Sequence, residues 1–210
     1  MKKNDPTAPI LSHLEEGDFY LEDEELFSNL LVKDSDQSYL SAKNLIIRDS
    51  HIQKLTMQKT ILESFECSNV IFDHCDFSNL EWIGASFHQV TFQQCKLTGT
   101  NFAEGYLRDC SFNECLASMA SFSNTNLKTV RFSDCQLEDT EFYEVRWKNL
   151  SLLNNQLTGS NWFRTPLKAL DFRTNDFTKI ALSLENLSGL SVDQEQALVI
   201  AASLGLIIEE

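Results

Sequence analysis

From Phe72 to Val192 every fifth residue of this chain is apolar, from Phe72, Phe77 and Trp82 through to Leu182, Leu187 and Val192. All three tryptophans and eleven of the fifteen phenylalanines stand in that series. Apolar types make up 42% of the chain, so chance would break such a run within a few steps. A period of five fits neither an amphipathic helix, at about 3.6, nor a half-buried strand, at about 2. It is the mark of a solenoid.

Two positions before most members of the series stands a small or β-branched residue, such as Cys75, Ala85, Val90, Thr100, Gly105 or Val130. Residues two apart in an extended segment point the same way, so each unit of five sends one small and one large side chain inward. The next inward residue comes three places on rather than two, so the chain turns a corner there. The second residue of that corner is Gly, Asn or Asp in eleven units, among them Asn79, Gly84, Gly99, Asp109 and Asp139. Gly and Asn suit the positive φ of a tight turn.

The closure number comes from the small column. Cys75, Cys95, Cys115 and Cys135 are 20 residues apart, and Asn155 and Asn175 extend the column. Phe72, Phe92, Phe112 and Phe132 share that spacing in the large column. Twenty residues are four units of five, which predicts an all-β solenoid of square section. The register extends back in weaker form to Leu40, predicting roughly seven to eight coils and a rod about 35–40 Å long.

Three segments follow. Residues 1–39 form an acidic N-terminal segment or cap, 40–192 the solenoid, and 193–210 a C-terminal helix with a dimerisation segment. Ser191 and Gln194 have capping-box spacing. A short helix through Ala197 to Leu204 is expected to end near Gly205, with Leu206–Ile208 extended beyond it. This apolar end either blocks the last coil or meets a second copy of itself.

Thirty-one acidic residues against seventeen Lys and Arg give a net charge of −14. That disfavours direct binding to nucleic acid or an anionic membrane. No apolar run has the length of a membrane span. The start shows no signal-peptide pattern, and six cysteines without one predict a cytoplasmic protein. The column Cys75, Cys95, Cys115 and Cys135 invites a metal or redox reading, but coil spacing accounts for it and no histidine joins it. These cysteines are read as small buried core residues beside Phe72, Phe92, Phe112 and Phe132. No nucleotide, metalloprotease or nucleophile-elbow motif is present. No catalytic residue, cofactor site or metal site is expected, and the chain is read as no enzyme.

Outward charge is patterned. Arg108, Lys128, Arg146, Lys148 and Lys168 fall on one side. Glu81, Glu104, Glu141 and Glu144 fall on another, and Asp73, Glu114 and Asp134 on a third. One reading is a solvated surface that keeps a rod soluble. The other is a negative face offered to a basic protein groove.

The units CDFSN at 75–79, TNFAE at 100–104 and SNWFR at 160–164 resemble those of the pentapeptide-repeat family. That resemblance implies a right-handed quadrilateral β-helix. FECSNVIFDHCDFSNLEW at 65–82, KLTGTNFAEGYLRDC at 96–110 and the tail EQALVIAASLGLII at 195–208 are similar to the Qnr-type quinolone-resistance proteins, in the loop-free form of Gram-positive bacteria. The resemblance implies a non-enzymatic DNA mimic that binds DNA gyrase and topoisomerase IV and protects them from fluoroquinolones. It also implies a homodimer through the C-terminus. The acidic residues named above are the candidate partner surface. Leu198, Ala201, Leu204, Leu206 and Ile207 are the candidate dimer contact. The alternative is a pentapeptide-repeat interaction scaffold with another partner.

Overall fold

The structure, a computed structural model, describes residues 5–209; residues 1–4 and 210, which belong to the two terminal segments, lie outside the described residues. Thirteen strands follow in chain order: β1 (Glu15–Glu16), β2 (Leu26–Ser28), β3 (Leu30–Asp36), β4 (Ser41–Lys43), β5 (Ile46–Thr56), β6 (Ile61–Glu63), β7 (Glu66–Asp73), β8 (Ser86–Gln93), β9 (Tyr106–Asn113), β10 (Asn126–Ser133), β11 (Arg146–Leu153), β12 (Asn161–Trp162) and β13 (Ala181–Leu182). Among the described residues a single α-helix, α1 (Gln194–Ser203), comes last. Every strand pair is parallel, and from β2 onward paired residues are 20 apart, as in Phe72↔Phe92 and Lys128↔Lys148. The chain is a parallel β-solenoid of about eight turns with a short C-terminal helix.

Strands β7 to β11 each bend across one corner and so cover two sides of the square. The other two sides are held by isolated bridges in the same register, such as Asp76↔Lys96 and Glu81↔Asn101. The corners are more uniform than their composition suggests. Every fifth residue from Glu24 to Ala169 has positive φ, an unbroken run of thirty. Closure imposes that conformation even on Tyr39, Met119 and Thr129, which disfavour it.

The inward columns are buried as the period predicts. Phe92, Phe112 and Phe132 stack face to face at 4.6 Å between successive rings. The neighbouring column, Phe102 over Phe122 at 4.8 Å, meets it edge-on, with Phe112 and Phe122 at 86°. Alternating stacked and perpendicular contacts suit the aromatic quadrupole. The small column also supplies donors. Cys75, Cys95, Cys115 and Cys135 each direct a thiol at the carbonyl 23 residues earlier, as Cys115 Sγ does to Phe92 O at 3.5 Å. Thr100, Thr140 and Asn155 bond the equivalent carbonyl, which explains why these residue types interchange there.

Two boundaries differ from expectation. The ladder reaches back past residue 40: Leu26 pairs with Ile46 and Leu31 with His51, and Phe27 and Val32 are buried in phase with Ala42 and Ile47. Polar Gln37 masks this coil in the sequence, because it occupies an inward position. Its side chain bonds Phe19 O and Leu21 N, each at 3.2 Å, and so ties the N-terminal segment over the end of the rod. Phe19 closes that end against Phe27, ring centres 4.9 Å apart. Before it, an extended arm climbs one corner. Ile10 exchanges two hydrogen bonds with the Asn69 side chain, Gln89 donates to Ala8 O, and Asp5 pairs with Arg131.

At the other end, regular corners stop at Ala169, and Leu187 and Val192 are only partly buried. The helix begins two residues later than Ser191 and Gln194 suggest. Asp193 is the N-cap, accepting from Gln196 N at 2.9 Å, while Gln196 Oε1 accepts from Asp193 N. Gln196 is buried, and its Nε2 donates to Phe172 O at 2.8 Å and Asn175 O at 2.6 Å. With Ile200 it seats α1 on the end of the core.

Candidate protein-interaction surface

The expected acidic residues all reach the outside, but not one face. Glu81, Glu104, Glu141 and Glu144 lie on one side of the square and the corner beyond it. Asp73, Glu114 and Asp134 lie at the diagonally opposite corner, ten residues away in a 20-residue turn. A flat partner surface reaches one group or the other.

What holds these carboxylates was not read from the sequence. Gln94 donates to Glu114 at 2.8 Å, Asn101 to Glu81 at 2.8 Å, Asn154 to Asp134 at 3.2 Å and Asn161 to Glu141 at 2.6 Å. Each donor stands one coil away, 20 residues along. Gln156 to Asp176 and Ser118 to Glu138 repeat the device on a further side. An amide orients a carboxylate without neutralising it, so the negative field survives while the side chain is ordered. The signal was present as Asn or Gln exactly one turn from Asp or Glu. Asp73 adds a histidine to the device: Gln53 donates to it from the neighbouring coil at 3.4 Å, and His74 Nδ1 lies at 2.6 Å. Glu144 differs. Arg164 bonds Glu144 at 2.8 Å and, with help from the Tyr143 hydroxyl, holds its carboxyl below the usual range.

The candidate dimer residues are mostly exposed. Leu198 is 48% exposed, Leu204 38%, Leu206 63% and Ile207 90%, with Ile208 beside them and Ala201 half-buried. The helix thus spends Gln196 and Ile200 on the rod and leaves an apolar patch at the tip. The cysteines are buried, and burial pushes the thiols of Cys67 and Cys110 up, the latter to about 12. A thiol held neutral is a poor nucleophile or metal ligand. Among the described residues no group of His, Cys, Asp and Glu is placed to hold a metal ion, and no helix is long and apolar enough to cross a membrane.

One expected core residue departs. Trp147 belongs to the inward series, yet its ring is only partly buried and its Nε1 donates outward to Pro166 O at 2.6 Å. Pro166 has no N–H to continue the ladder, and the main sheet ends at β11. The ring lies in an open cleft of about 540 Å³ with Arg146, Arg164 and Glu144.

The family model for the pentapeptide repeat region matches residues 85–162. Residues 85–162 of the chain therefore carry a pentapeptide repeat region. A comparison with curated protein sequences finds no significant match. Among solved structures, the chain is similar to trypsin-treated QnrB1, a plasmid-mediated fluoroquinolone resistance protein. The two are 19% identical over 94% of this chain and 100% of that one, with a TM-score of 0.39. It is also similar to HetL, a pentapeptide repeat protein involved in heterocyst differentiation regulation from the cyanobacterium Nostoc sp. strain PCC 7120. That match is 15% identical over 83% of this chain and 88% of that one, with a TM-score of 0.37.

Proposed function

We propose that this protein is a non-catalytic acidic rod that imitates DNA, binds DNA gyrase and topoisomerase IV, and protects them from fluoroquinolones. The observation that carries the reading is the amide-fastened carboxylate. Glu81 and Glu141 on one side, and Glu114 and Asp134 on the opposite corner, are ordered by neutral donors and keep their charge. Fixed anions at regular intervals suit the basic groove of a protein that grips a phosphate backbone. The tail resemblance supports a dimer through Leu198, Ala201, Leu204, Leu206 and Ile207, which doubles the rod's length. Expression in a susceptible bacterium is expected to raise the fluoroquinolone inhibitory concentration, and purified protein to capture gyrase in a salt-sensitive way. An unchanged inhibitory concentration together with no gyrase capture at low salt refutes the reading.

A further inference from the structure

One side of the rod runs against the charge of the whole. Arg108, Lys128 and Lys148 stand directly opposite one another in consecutive coils of β9, β10 and β11. Lys168 lies a further 20 residues on, and Arg146 shares the face. All five are exposed. Arg108 touches Asp109 at 3.3 Å, but among the described residues Lys128, Arg146, Lys148 and Lys168 make no ion pair. Like charges placed opposite one another across strands repel. Elsewhere this chain answers a carboxylate with a donor from the next coil; here it answers a cation with another cation, in a protein of net charge −14. A bound anion relieves that repulsion.

Trp147 adds a second, independent feature. Its partly exposed ring and Pro166 make an apolar ledge in the cleft beside Arg146, on the same face as the cation column. A surface of aligned cations with an aromatic ledge fits a ligand that is acidic along one edge and apolar along another.

Spacing selects among such ligands. Stacked strands rise about 4.8 Å per coil. An α-helix carries side chains on one face at each turn, about 5.4 Å apart. Over the three steps from Arg108 to Lys168 the mismatch is about 2 Å, within reach of flexible lysine stems. A B-form duplex advances its phosphates by about 3.4 Å per strand and falls out of step by about 4 Å over the same distance. Its unbroken negative charge also meets Glu104, Asp109 and Glu144 along the edges of this face.

We propose that this face docks an acidic amphipathic α-helix of a partner protein. The helix lies along the rod axis, with carboxylates one turn apart on Arg108, Lys128, Lys148 and Lys168 and an apolar side chain on Trp147 and Pro166. This surface adjoins the acidic corner at Glu104 and Glu144 and lies apart from Glu114 and Asp134.

The test uses the full chain and two labelled probe peptides of about 18 residues, a length that supports measurable helicity. One carries glutamates along a single helix face beside one leucine; the other has the same composition with the glutamates scattered. Fluorescence anisotropy at low salt is expected to show the patterned peptide binding about tenfold tighter, with the difference shrinking as salt rises. The double variant Lys128→Gln/Lys148→Gln is expected to weaken binding about three- to tenfold and, by removing repulsion, to melt no lower than the parent. Lys96→Gln/Lys179→Gln, on another side, is expected to bind as the parent does. Trp82 and Trp162 are buried, so a shift in tryptophan emission on binding reports Trp147. Equal binding of the two peptides, or unchanged binding by the Lys128→Gln/Lys148→Gln variant, overturns the proposal. So does tighter binding of a short DNA duplex than of the patterned peptide.

Discussion

Replacing Gln196 by Glu changes almost no volume and reverses the hydrogen-bonding sense of a buried side chain. Gln196 Nε2 donates to Phe172 O and Asn175 O, the bonds that seat α1 on the last coil. A glutamate places an oxygen where that nitrogen stands, opposite two carbonyl oxygens. Two lost bonds and a buried anion without a donor come to roughly 3–5 kcal/mol. Stability in a solenoid sums over neighbouring units, so the loss falls on the docking of α1 rather than on the whole rod. At about 1.4 kcal/mol per decade, the α1 amides lose roughly hundredfold or more of their hydrogen-exchange protection near neutral pH. Burial raises the pKa of the introduced carboxyl in the docked state above its value in the undocked one. The docked state therefore binds more protons, and docking weakens as pH rises through the interval between the two values. Below the ordinary glutamate pKa of about 4.3 the acid is neutral in both states and the ionic part of the loss is absent. The measurement is hydrogen exchange of residues 197–203 near neutral pH and again near pH 4, with Gln196→Met as the apolar control. Protection within threefold of the parent at neutral pH refutes the view that these two bonds hold the plug.

The corners make two predictions of opposite sign. Thr129 has φ 56° in a column where Asn69 and Asn149 occupy the same corner, so Thr129→Asn is expected to stabilise by about 0.5–1 kcal/mol and raise Tm by a few degrees. Gly99→Ala is expected to destabilise by about 1–2 kcal/mol, because φ is 68° and the new Cβ falls 2.5 Å from Asn79 Oδ1. Both are read by calorimetry, and two shifts of one sign refute the corner argument. At Asp76, burial opposes ionisation but is outweighed by bonds from Ser78 and Gln58 and by Lys96, which hold the carboxyl below its ordinary value. Its contribution is therefore present above the unfolded carboxyl pKa, near 4, and lost as pH falls below it. Asp76→Asn is expected to flatten the fall in urea midpoint between about pH 5 and pH 3. Leu198→Asp with Leu204→Asp is expected to give a monomer by light scattering if the exposed tip is the dimer contact; a persistent dimer places the contact elsewhere.

The inward half of this molecule was legible because burial leaves little choice: Phe112 can only be replaced by something that fills the space between Phe92 and Phe132. Corners were legible only where Gly, Asn or Asp advertised them. Tyr39, Met119 and Thr129 gave no such signal, since closure of the coil, not local preference, sets their φ. Gln37 hid a coil because one polar residue serves the cap rather than the core. Trp147 misled in the opposite direction: its apolar type fits the series, yet its ring is only partly buried against the core, with Nε1 bonded to Pro166 O one coil on. On the surface, charge counts alone say little, because Glu141 and Lys128 take their character from what lies 20 residues away. Glu141 meets an amide and stays an ordered anion; Lys128 meets cations on both sides and stays unanswered. The outward residues of such a rod therefore acquire their meaning from the neighbouring coil, and a sequence read one turn at a time pairs donors with acceptors and leaves the unpaired column standing as the surface that still needs a partner.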